Sequence, residues 1–250
     1  MRSAGRPLFL LAAVVALAVT GVGAAFGSIA AAPDIPAVVA ITPSEGRTVG
    51  IYPPVTVRYA APVADRAAAE RALTVRAPEA VPGHVTWNSA TELTWLPEAF
   101  LPARTKVQVF AAGWRTEFET NAGFSAVGDI SAHTFTVSIG GVPVRTMPAS
   151  YGKPGWETPA GTFPILEKFR RVTFDSRTIG IPLSSPEGYL IQGEYAERLT
   201  WGGVFVHSAP WSVESQGSAN VSHGCVNLAP DDASWFYENA GIGDPVQLHW

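Results

Sequence analysis

Residues 106–120 read KVQVFAAGWRTEFET, two runs of alternating apolar and polar side chains separated by a short turn sequence. An alternation with a period of two is typical of a β-strand that has one buried and one exposed face. Further runs of this kind, bounded by Pro and Gly, lie upstream at 55–59, 73–75, 85–87 and 93–95. The pattern predicts several short strands arranged as an antiparallel β-sandwich.

The predicted sandwich occupies residues 36–122. Seven or so turn-bounded strands are typical of an immunoglobulin-like sandwich, but its usual disulfide is excluded because the chain holds one cysteine. His84 and the tryptophans of this half have no catalytic partner nearby in the sequence, so we interpret them as packing or surface residues. We expect this half to act as a spacer or docking domain.

Residues 124–250 are predicted to form a second, β-rich domain with one or two helices. The run 133–147 reads as a β-hairpin, because its central Gly140 and Gly141 accept the positive φ angles of a tight turn. Further strands are expected at 199–207 and 246–249.

One helix is predicted from Pro230 to Ala240. Proline is favoured at the first helical position, and Asp231 and Asp232 complement the positive end of the helix dipole. Gly241 follows where a C-cap residue is expected. The apolar stripe of this helix consists of Ala233, Phe236, Tyr237 and Ala240.

The composition excludes several classes of protein. One cysteine among 250 residues rules out internal disulfides and the zinc or iron–sulfur sites that need Cys-x-x-Cys pairs. No basic cluster stands out beyond the N-terminus, so nucleic-acid binding is not expected. We expect no cofactor and no metal.

The N-terminus has the order of a secretory signal. Arg2 and Arg6 precede an apolar run at 8–26, and small residues at 30–32 resemble a cleavage site. The run is long for a cleaved signal and approaches the length of a membrane span, so cleavage after residue 32 and retention of 1–32 as an anchor are both open. In either case we expect an exported protein, in the periplasm or the cell wall.

The cysteine lies beside two histidines near the C-terminus. Residues 206–211 read VHSAPW, and residues 221–227 read VSHGCVN. A thiol is only a few per cent ionised at neutral pH, so a nucleophilic Cys225 needs a nearby base. Either histidine could supply it. We favour His207, which ends a predicted strand, because His223 would point away from Cys225 in an extended backbone.

Gly224 leaves room for a carbonyl group to approach the main chain. The backbone N–H groups of Gly224 and Cys225 are therefore candidate donors to an oxyanion. Two other interpretations stay open at this point. Cys225 could be an inert buried residue, or it could join His207 and His223 in a zinc site.

The run SHGCVN at 222–227, with His207 upstream, closely resembles the [S/T]HGC-x-N signature of L,D-transpeptidases of the YkuD type. In papain-like and NlpC/P60-like peptidases the cysteine comes before the histidine. A second patch, TPAGTF at 158–163, resembles the TPxGxF element of the same family. The resemblance covers roughly residues 124–250. The two-domain order is similar to that of the short mycobacterial L,D-transpeptidases with one immunoglobulin-like domain.

The resemblance implies an acyltransferase that cross-links peptidoglycan. In this family the nucleophilic cysteine, here Cys225, attacks the carbonyl of diaminopimelate in a tetrapeptide donor stem and expels D-Ala. The side-chain amine of diaminopimelate on a neighbouring stem then resolves the thioester and gives a 3→3 cross-link. The family also forms thioesters with carbapenems, so the expected partners are stem peptides and carbapenems.

The resemblance also implies roles for individual residues. His207 is the expected base, and the backbone carbonyl of Ser208 orients its ring. The N–H groups around His223, Gly224 and Cys225 are expected to form the oxyanion hole. The residues expected to hold the loop or contact the substrate are Ser222, Asn227, Trp211, Tyr189 and Phe174, the last two at lid positions.

Two alternatives use the same chain differently. The Cys/His pair would also suit an L,D-carboxypeptidase or peptidoglycan hydrolase, in which water is the acceptor. The sandwich domain would also suit a non-catalytic wall-binding module with an inert thiol.

Overall fold

The computed structural model describes residues 35–250, and the expected signal or anchor at 1–32 lies outside the described residues. The strands are β1 Val38–Thr42, β2 Thr48–Val49, β3 Val55–Tyr59, β4 Leu73–Arg76, β5 Gly83–Trp87, β6 Glu92–Pro97, β7 Lys106–Ala111, β8 Trp114–Thr120, β9 Phe124–Asp129, β10 Thr134–Ile139, β11 Val142–Pro148, β12 Gly161–Pro164, β13 Glu167–Asp175, β14 Leu190–Arg198, β15 Phe205–Ser208, β16 Val226–Leu228 and β17 Pro245–His249. The helices are α1 Arg66–Arg71 and α2 Pro230–Asn239, with 3-10 turns at Ser176–Ile179 and Pro210–Ser215. Within residues 35–250, no helix is both long enough and apolar enough to cross a membrane.

Strands β1 to β8 form two four-stranded sheets, with the orders β1-β3-β6-β5 and β2-β8-β7-β4. The predicted alternation determines which side chains face inward. Val55 and Val57 on β3, and Val107 and Val109 on β7, are fully buried between exposed or half-buried neighbours. The run 106–120 folds into the antiparallel hairpin β7–β8. The strands predicted for this half are confirmed, whereas the short pairing of β2 with β8 is parallel.

Strands β9 to β17 form a five-stranded sheet, β11-β10-β9-β17-β12, and a four-stranded sheet, β13-β14-β15-β16. The predicted hairpin is confirmed as β10–β11, and Gly140 and Gly141 have φ angles of 58° and 81° at its turn. Two pairs, β9–β17 and β15–β16, are parallel. The second of these parallel pairs positions the site.

Helix α2 contacts β14 and β15 of the four-stranded sheet, and its predicted apolar stripe also reaches the five-stranded sheet. Ala233 and Phe236 are fully buried. The ring centroid of Phe236 lies 5.1 Å from that of Phe135 on β10 and 5.9 Å from that of Phe124 on β9. The prediction of this helix is confirmed.

The β14–β15 turn and helix α1 also differ from the sequence prediction. The strand expected at 199–207 begins only at Phe205, because residues 199–204 form the turn between β14 and β15. Gly203 has a φ of 99° in that turn, which breaks the extended backbone. Helix α1, capped by the side chain of Asp65, was not predicted.

The loop between α2 and β17 contacts the sandwich. Gly50 and Tyr52 donate their backbone N–H groups to the carbonyls of Ile242 and Gly243, both at 2.8 Å. A Cβ atom on Gly50 would lie 2.0 Å from the backbone nitrogen of Asp244. The two backbones therefore meet at a distance that only glycine permits at this position.

Asp244 is the buried polar centre of this contact. Its carboxylate accepts the backbone N–H of Gly241 at 2.6 Å and the side-chain amide of Asn121 at 2.7 Å. Burial raises the pKa of Asp244 to about 7. The prediction of Gly241 as the C-cap of α2 is wrong, because Ala240 caps the helix in an extended conformation and Gly241 instead binds Asp244.

Candidate active site

Strands β15 and β16 bring the predicted base and nucleophile together. They pair in parallel, with His207 opposite Asn227, and Cys225 directly precedes β16. A parallel pair cannot be closed by a tight turn, so the chain crosses over between the strands through residues 209–225. As a result, His207 and Cys225 line the same cavity.

This cavity, here called the main cavity, has a volume of about 410 Å³. Its walls consist of Phe174, Tyr189, Ile191, His207, Trp211, Ser212, Ser215, Val221, Ser222, His223, Cys225 and Asn227. Eight of the ten predicted site residues are in this set. The other two, Ser208 and Gly224, are buried. The backbone carbonyl of Ser208 bonds the ring of His207, and the backbone N–H of Gly224 bonds the hydroxyl of Ser222.

The imidazole of His207 is buried and held in one orientation. Its Nδ1 lies 2.8 Å from the backbone carbonyl of Ser208. A carbonyl only accepts, so Nδ1 carries the proton and Nε2 is the free basic atom. The ring packs against Phe174, with 4.6 Å between centroids, and against Trp211, with 5.9 Å. Burial lowers the pKa of His207 to about 4, so the imidazole is neutral at physiological pH.

The thiol of Cys225 is also neutral at rest. Burial raises its pKa to about 11, although a backbone hydrogen bond from Phe205 acts in the opposite direction. The sulfur lies 3.6 Å from the carbonyl oxygen of Gly203 in the β14–β15 turn. Because both groups are uncharged, the thiol can ionise only as a base such as His207 in the same cavity takes its proton.

Hydrogen bonds within the loop fix the backbone around Cys225. The hydroxyl of Ser222 donates to the carbonyl of Cys225 at 2.7 Å and accepts the N–H of Gly224 at 3.1 Å. Of the predicted oxyanion donors, Gly224 is therefore already engaged. Among residues 35–250, no acceptor takes the N–H of His223 or of Cys225. These two groups are the ones free to bind an oxyanion.

His223 joins a cluster of which Glu187, Lys153 and Trp156 were not predicted. Its Nε2 lies 2.8 Å from the carboxylate of Glu187, which also binds Lys153 at 2.6 Å. The rings of Trp156 and Tyr189 both pack against the imidazole of His223, each with 5.3 Å between ring centroids. His223 therefore ties the loop to the segment before β14.

The contacts of His223 do not support the zinc alternative. Its Nε2 atom is engaged by the carboxylate of Glu187. The part of the chain that the structure describes contains no group of three or more His, Cys, Asp or Glu side chains that could hold a metal ion.

The predicted substrate-contacting residues differ in their surroundings. Asn227 is buried and donates to the hydroxyl of Ser212 at 3.1 Å, but its Oδ1 has no partner among the described residues. Trp211 is 50% exposed at the cavity wall. Tyr189 is half-buried, and its pKa is raised to about 12 by burial and by the nearby Cys225 and Asp175.

A second, smaller cavity of about 220 Å³ also reaches Cys225. It shares Phe174, Tyr189 and Cys225 with the main cavity and continues along β13 and the Gly203 turn. Two spaces therefore meet at Cys225.

Several residues of the site were missed by the sequence analysis. Thr158 is buried and binds both Gly152 and Gly224, although only its place in the TPAGTF patch was noted. Glu187 and Lys153 had no motif to mark them. The TPAGTF resemblance was the one available signal for Thr158.

Comparison with known proteins identifies the family and agrees with the fold. Residues 124–248 match the model of the L,D-transpeptidase catalytic domain (YkuD), and residues 25–113 match the model of the bacterial Ig domain (Big_10). The chain is 49% identical over 214 residues to L,D-transpeptidase 1 of Mycobacterium tuberculosis, covering 86% of this chain and 85% of that protein. It is 40% identical to the probable L,D-transpeptidase 3 of the same organism, covering 84% and 85%.

Solved structures show the same similarity. A structure of an L,D-transpeptidase in complex with imipenem superimposes with a TM-score of 0.83 at 48% identity, covering 86% of this chain and all of that one. An L,D-transpeptidase from Mycobacterium smegmatis superimposes with a TM-score of 0.82 at 51% identity, covering 85% and 98%. The fold is thus mostly β, with an immunoglobulin-like domain followed by a YkuD catalytic domain. The chain belongs to the L,D-transpeptidase family.

Proposed function

We propose that the protein is a peptidoglycan L,D-transpeptidase that forms 3→3 cross-links between diaminopimelate residues through a thioester on Cys225. The observation that carries the proposal is the meeting of two cavities at Cys225, with His207 in the wall of one of them. A transfer between two peptides needs an approach for each. Membership of the family supports the same reaction.

In the first step, the Nε2 atom of His207 takes the thiol proton as the sulfur of Cys225 attacks the carbonyl of the third donor residue. A C–S bond forms, and the carbonyl oxygen becomes an oxyanion stabilised by the free N–H groups of His223 and Cys225. The intermediate then collapses. The C–N bond to D-Ala breaks, and His207 gives its proton to the leaving amine.

In the second step, the side-chain amine of an acceptor diaminopimelate attacks the thioester carbonyl. A C–N bond forms, the C–S bond breaks, and the proton lost by the amine returns to the sulfur through His207. The energy of the first amide bond is retained in the thioester, so the exchange needs no ATP. This chemistry suits an enzyme that works outside the cell.

The remaining predicted residues take supporting roles. The unpartnered Oδ1 of Asn227 suits an N–H group of the donor stem. Phe174 and Tyr189 line both cavities beside Cys225, and Trp211 lines the main cavity. Ser222 fixes the loop through its two hydrogen bonds.

The same proposal covers inhibitors, domains and location. A relative solved with imipenem supports capture of carbapenems by Cys225, and one solved with a faropenem-derived adduct supports capture of related β-lactams. We assign the spacer or docking role to residues 36–122 and catalysis to residues 124–250. Residues 1–32 would export the chain to the periplasm or cell wall, as a cleaved signal or as an anchor.

The test is product analysis on a disaccharide-tetrapeptide substrate by mass spectrometry. We expect cross-linked dimers with loss of D-Ala, and a covalent imipenem adduct on the intact protein. Tripeptides without dimers would indicate a carboxypeptidase or hydrolase instead. Absence of both products and of the adduct would indicate a wall-binding module.

Matched variants assign the activity to the site. Cys225→Ala and His207→Ala should abolish dimers, and Cys225→Ala should also abolish the adduct. His84→Ala is the control for a histidine substitution, since the His84 side chain is 78% exposed in the sandwich. It should leave the products unchanged.

A further inference from the structure

We propose that Thr158 is a positioning residue that aims the backbone N–H of Cys225 at the oxyanion, an inference that rests on the proposed function. Thr158 is 1% exposed. Its hydroxyl donates to the carbonyl of Gly224 at 3.0 Å and accepts the N–H of Gly152 at 2.8 Å. It lies far from the loop in sequence and does not line the main cavity.

The geometry of the peptide group links Thr158 to the oxyanion donor. The carbonyl of Gly224 and the N–H of Cys225 belong to one planar trans peptide, so the two groups point in opposite directions. Fixing the carbonyl oxygen therefore fixes the direction of the N–H. That N–H has no acceptor in the described part of the chain, as expected for a donor reserved for substrate.

This peptide is the one that the rest of the loop leaves free to rotate. Ser222 holds the peptide before it through the N–H of Gly224, and the peptide after it through the carbonyl of Cys225. Gly224 has a φ of 113°, where a glycine backbone turns easily. Thr158 supplies the hydrogen bond that holds the intervening unit.

The anchor of Thr158 is itself rigid. A Cβ atom on Gly152 would lie 1.9 Å from the carbonyl oxygen of Trp156, so the turn at 152–158 is closed on itself. Backbone bonds join this turn to the loop, from Ser222 to the carbonyl of Tyr151 at 2.9 Å and from Lys153 to the carbonyl of Ser222 at 3.0 Å. The hydroxyl of Thr158 therefore has a fixed position relative to Gly224.

The experiment compares two reactions of the same thiol in the full protein. Acylation by imipenem builds an oxyanion, whereas alkylation by iodoacetamide does not. In Thr158→Val, which keeps the shape and removes the hydroxyl, we expect the first-order acylation rate constant at saturating imipenem to fall about 30-fold. The imipenem concentration for half-maximal rate and the rate of alkylation at pH 9 should change less than about threefold.

Control variants separate positioning from general damage. Thr158→Ser keeps the hydroxyl and should acylate within about threefold of the wild type. Thr162→Val tests the same change at a half-buried site in the same patch, and it should behave as the wild type. Thr158→Ala repeats the measurement if Thr158→Val does not fold, with the same expected loss.

The inference is overturned if Thr158→Val acylates normally, if alkylation falls in parallel with acylation, or if Thr158→Ser is as slow as Thr158→Val. These results differ from a failure of the proposed function. A failure of the proposed function would instead appear without any change at Thr158: the wild-type protein would release tripeptides without dimers, it would form no imipenem adduct, or Cys225→Ala would still form one.

Discussion

Cys225 should react slowly with simple alkylating agents even though it is the proposed nucleophile. Burial raises the pKa of its thiol to about 11, compared with 9.0 for an ordinary thiol, and burial lowers the pKa of His207 to about 4. A thiolate–imidazolium pair would require the opposite order of the two pKa values. The resting pair is therefore uncharged between these limits.

The size of the effect follows from the thiol pKa. A rise of two units leaves about 100-fold less thiolate than in an ordinary thiol at the same pH. Iodoacetamide reacts with the thiolate. We expect Cys225 to be alkylated at pH 7 about 100-fold more slowly than N-acetylcysteine.

The assay follows intact-protein mass from pH 6 to pH 10 with iodoacetamide and, in parallel, with imipenem. Alkylation should rise about tenfold per pH unit without a plateau, because the thiolate fraction does so. Acylation should stay nearly constant from pH 6 to 9, since neutral His207 removes the proton during the attack. His207→Gln should abolish acylation and leave alkylation unchanged.

One result would refute this reasoning. If alkylation were already fast at pH 6 and levelled off above pH 7, the thiol would be ionised at neutral pH. Cys225 and His207 would then form an ion pair before substrate arrives, and burial would not control their protonation.

Two further predictions concern residues around the site. Glu187→Gln should lower the imipenem acylation rate by less than about fivefold, because partly exposed ion pairs such as those of Glu187 with His223 and Lys153 are weak; a loss of 30-fold or more in the same mass assay would contradict this. Burial raises the pKa of Asp244 from 3.8 to about 7, so the folded chain retains a proton that the unfolded chain releases near pH 4. The free energy of unfolding of the wild type, relative to that of Asp244→Asn, should therefore fall by up to about 4 kcal/mol between pH 4 and 7 and stay level above pH 7. Urea unfolding of both proteins measures this difference. If their urea midpoints differed by the same amount at pH 5 and at pH 8, the prediction would be wrong.

Much of the fold could be predicted because it depends on residues that are close together in the sequence. The alternation in 106–120 and the paired glycines at 140–141 determine hairpins between neighbouring residues, so both were predictable. The turn at 199–204 was not, because its apolar residues look like the continuation of a strand until Gly203 turns the backbone. Parallel pairing of β15 with β16 joins strands separated by a crossover, and periodicity carries no information about such partners.

The candidate site likewise contains residues that the sequence could indicate and contacts that it could not. Cys225 and His207 lie in short motifs whose residue types already indicate their chemistry. Thr158 acts on a peptide group 66 residues away, and Glu187 reaches His223 across 36 residues. The engagement of the Gly224 N–H by Ser222 depends on how the loop bends. Contacts of this kind arise only when the chain is folded.

The crossover between β15 and β16 supplies most of the wall of the main cavity, so it bears on which substrates the cavity accepts. Seven of the twelve residues that line the main cavity belong to residues 209–225. The connection that the strand order requires therefore forms much of the cavity wall, which is the wall that the donor peptide of the proposed reaction would meet. The strands hold His207 and Cys225 in register, and the intervening segment is not part of that pairing. Exchanging residues 211–221 between family members should therefore transfer donor preference and leave the chemistry intact.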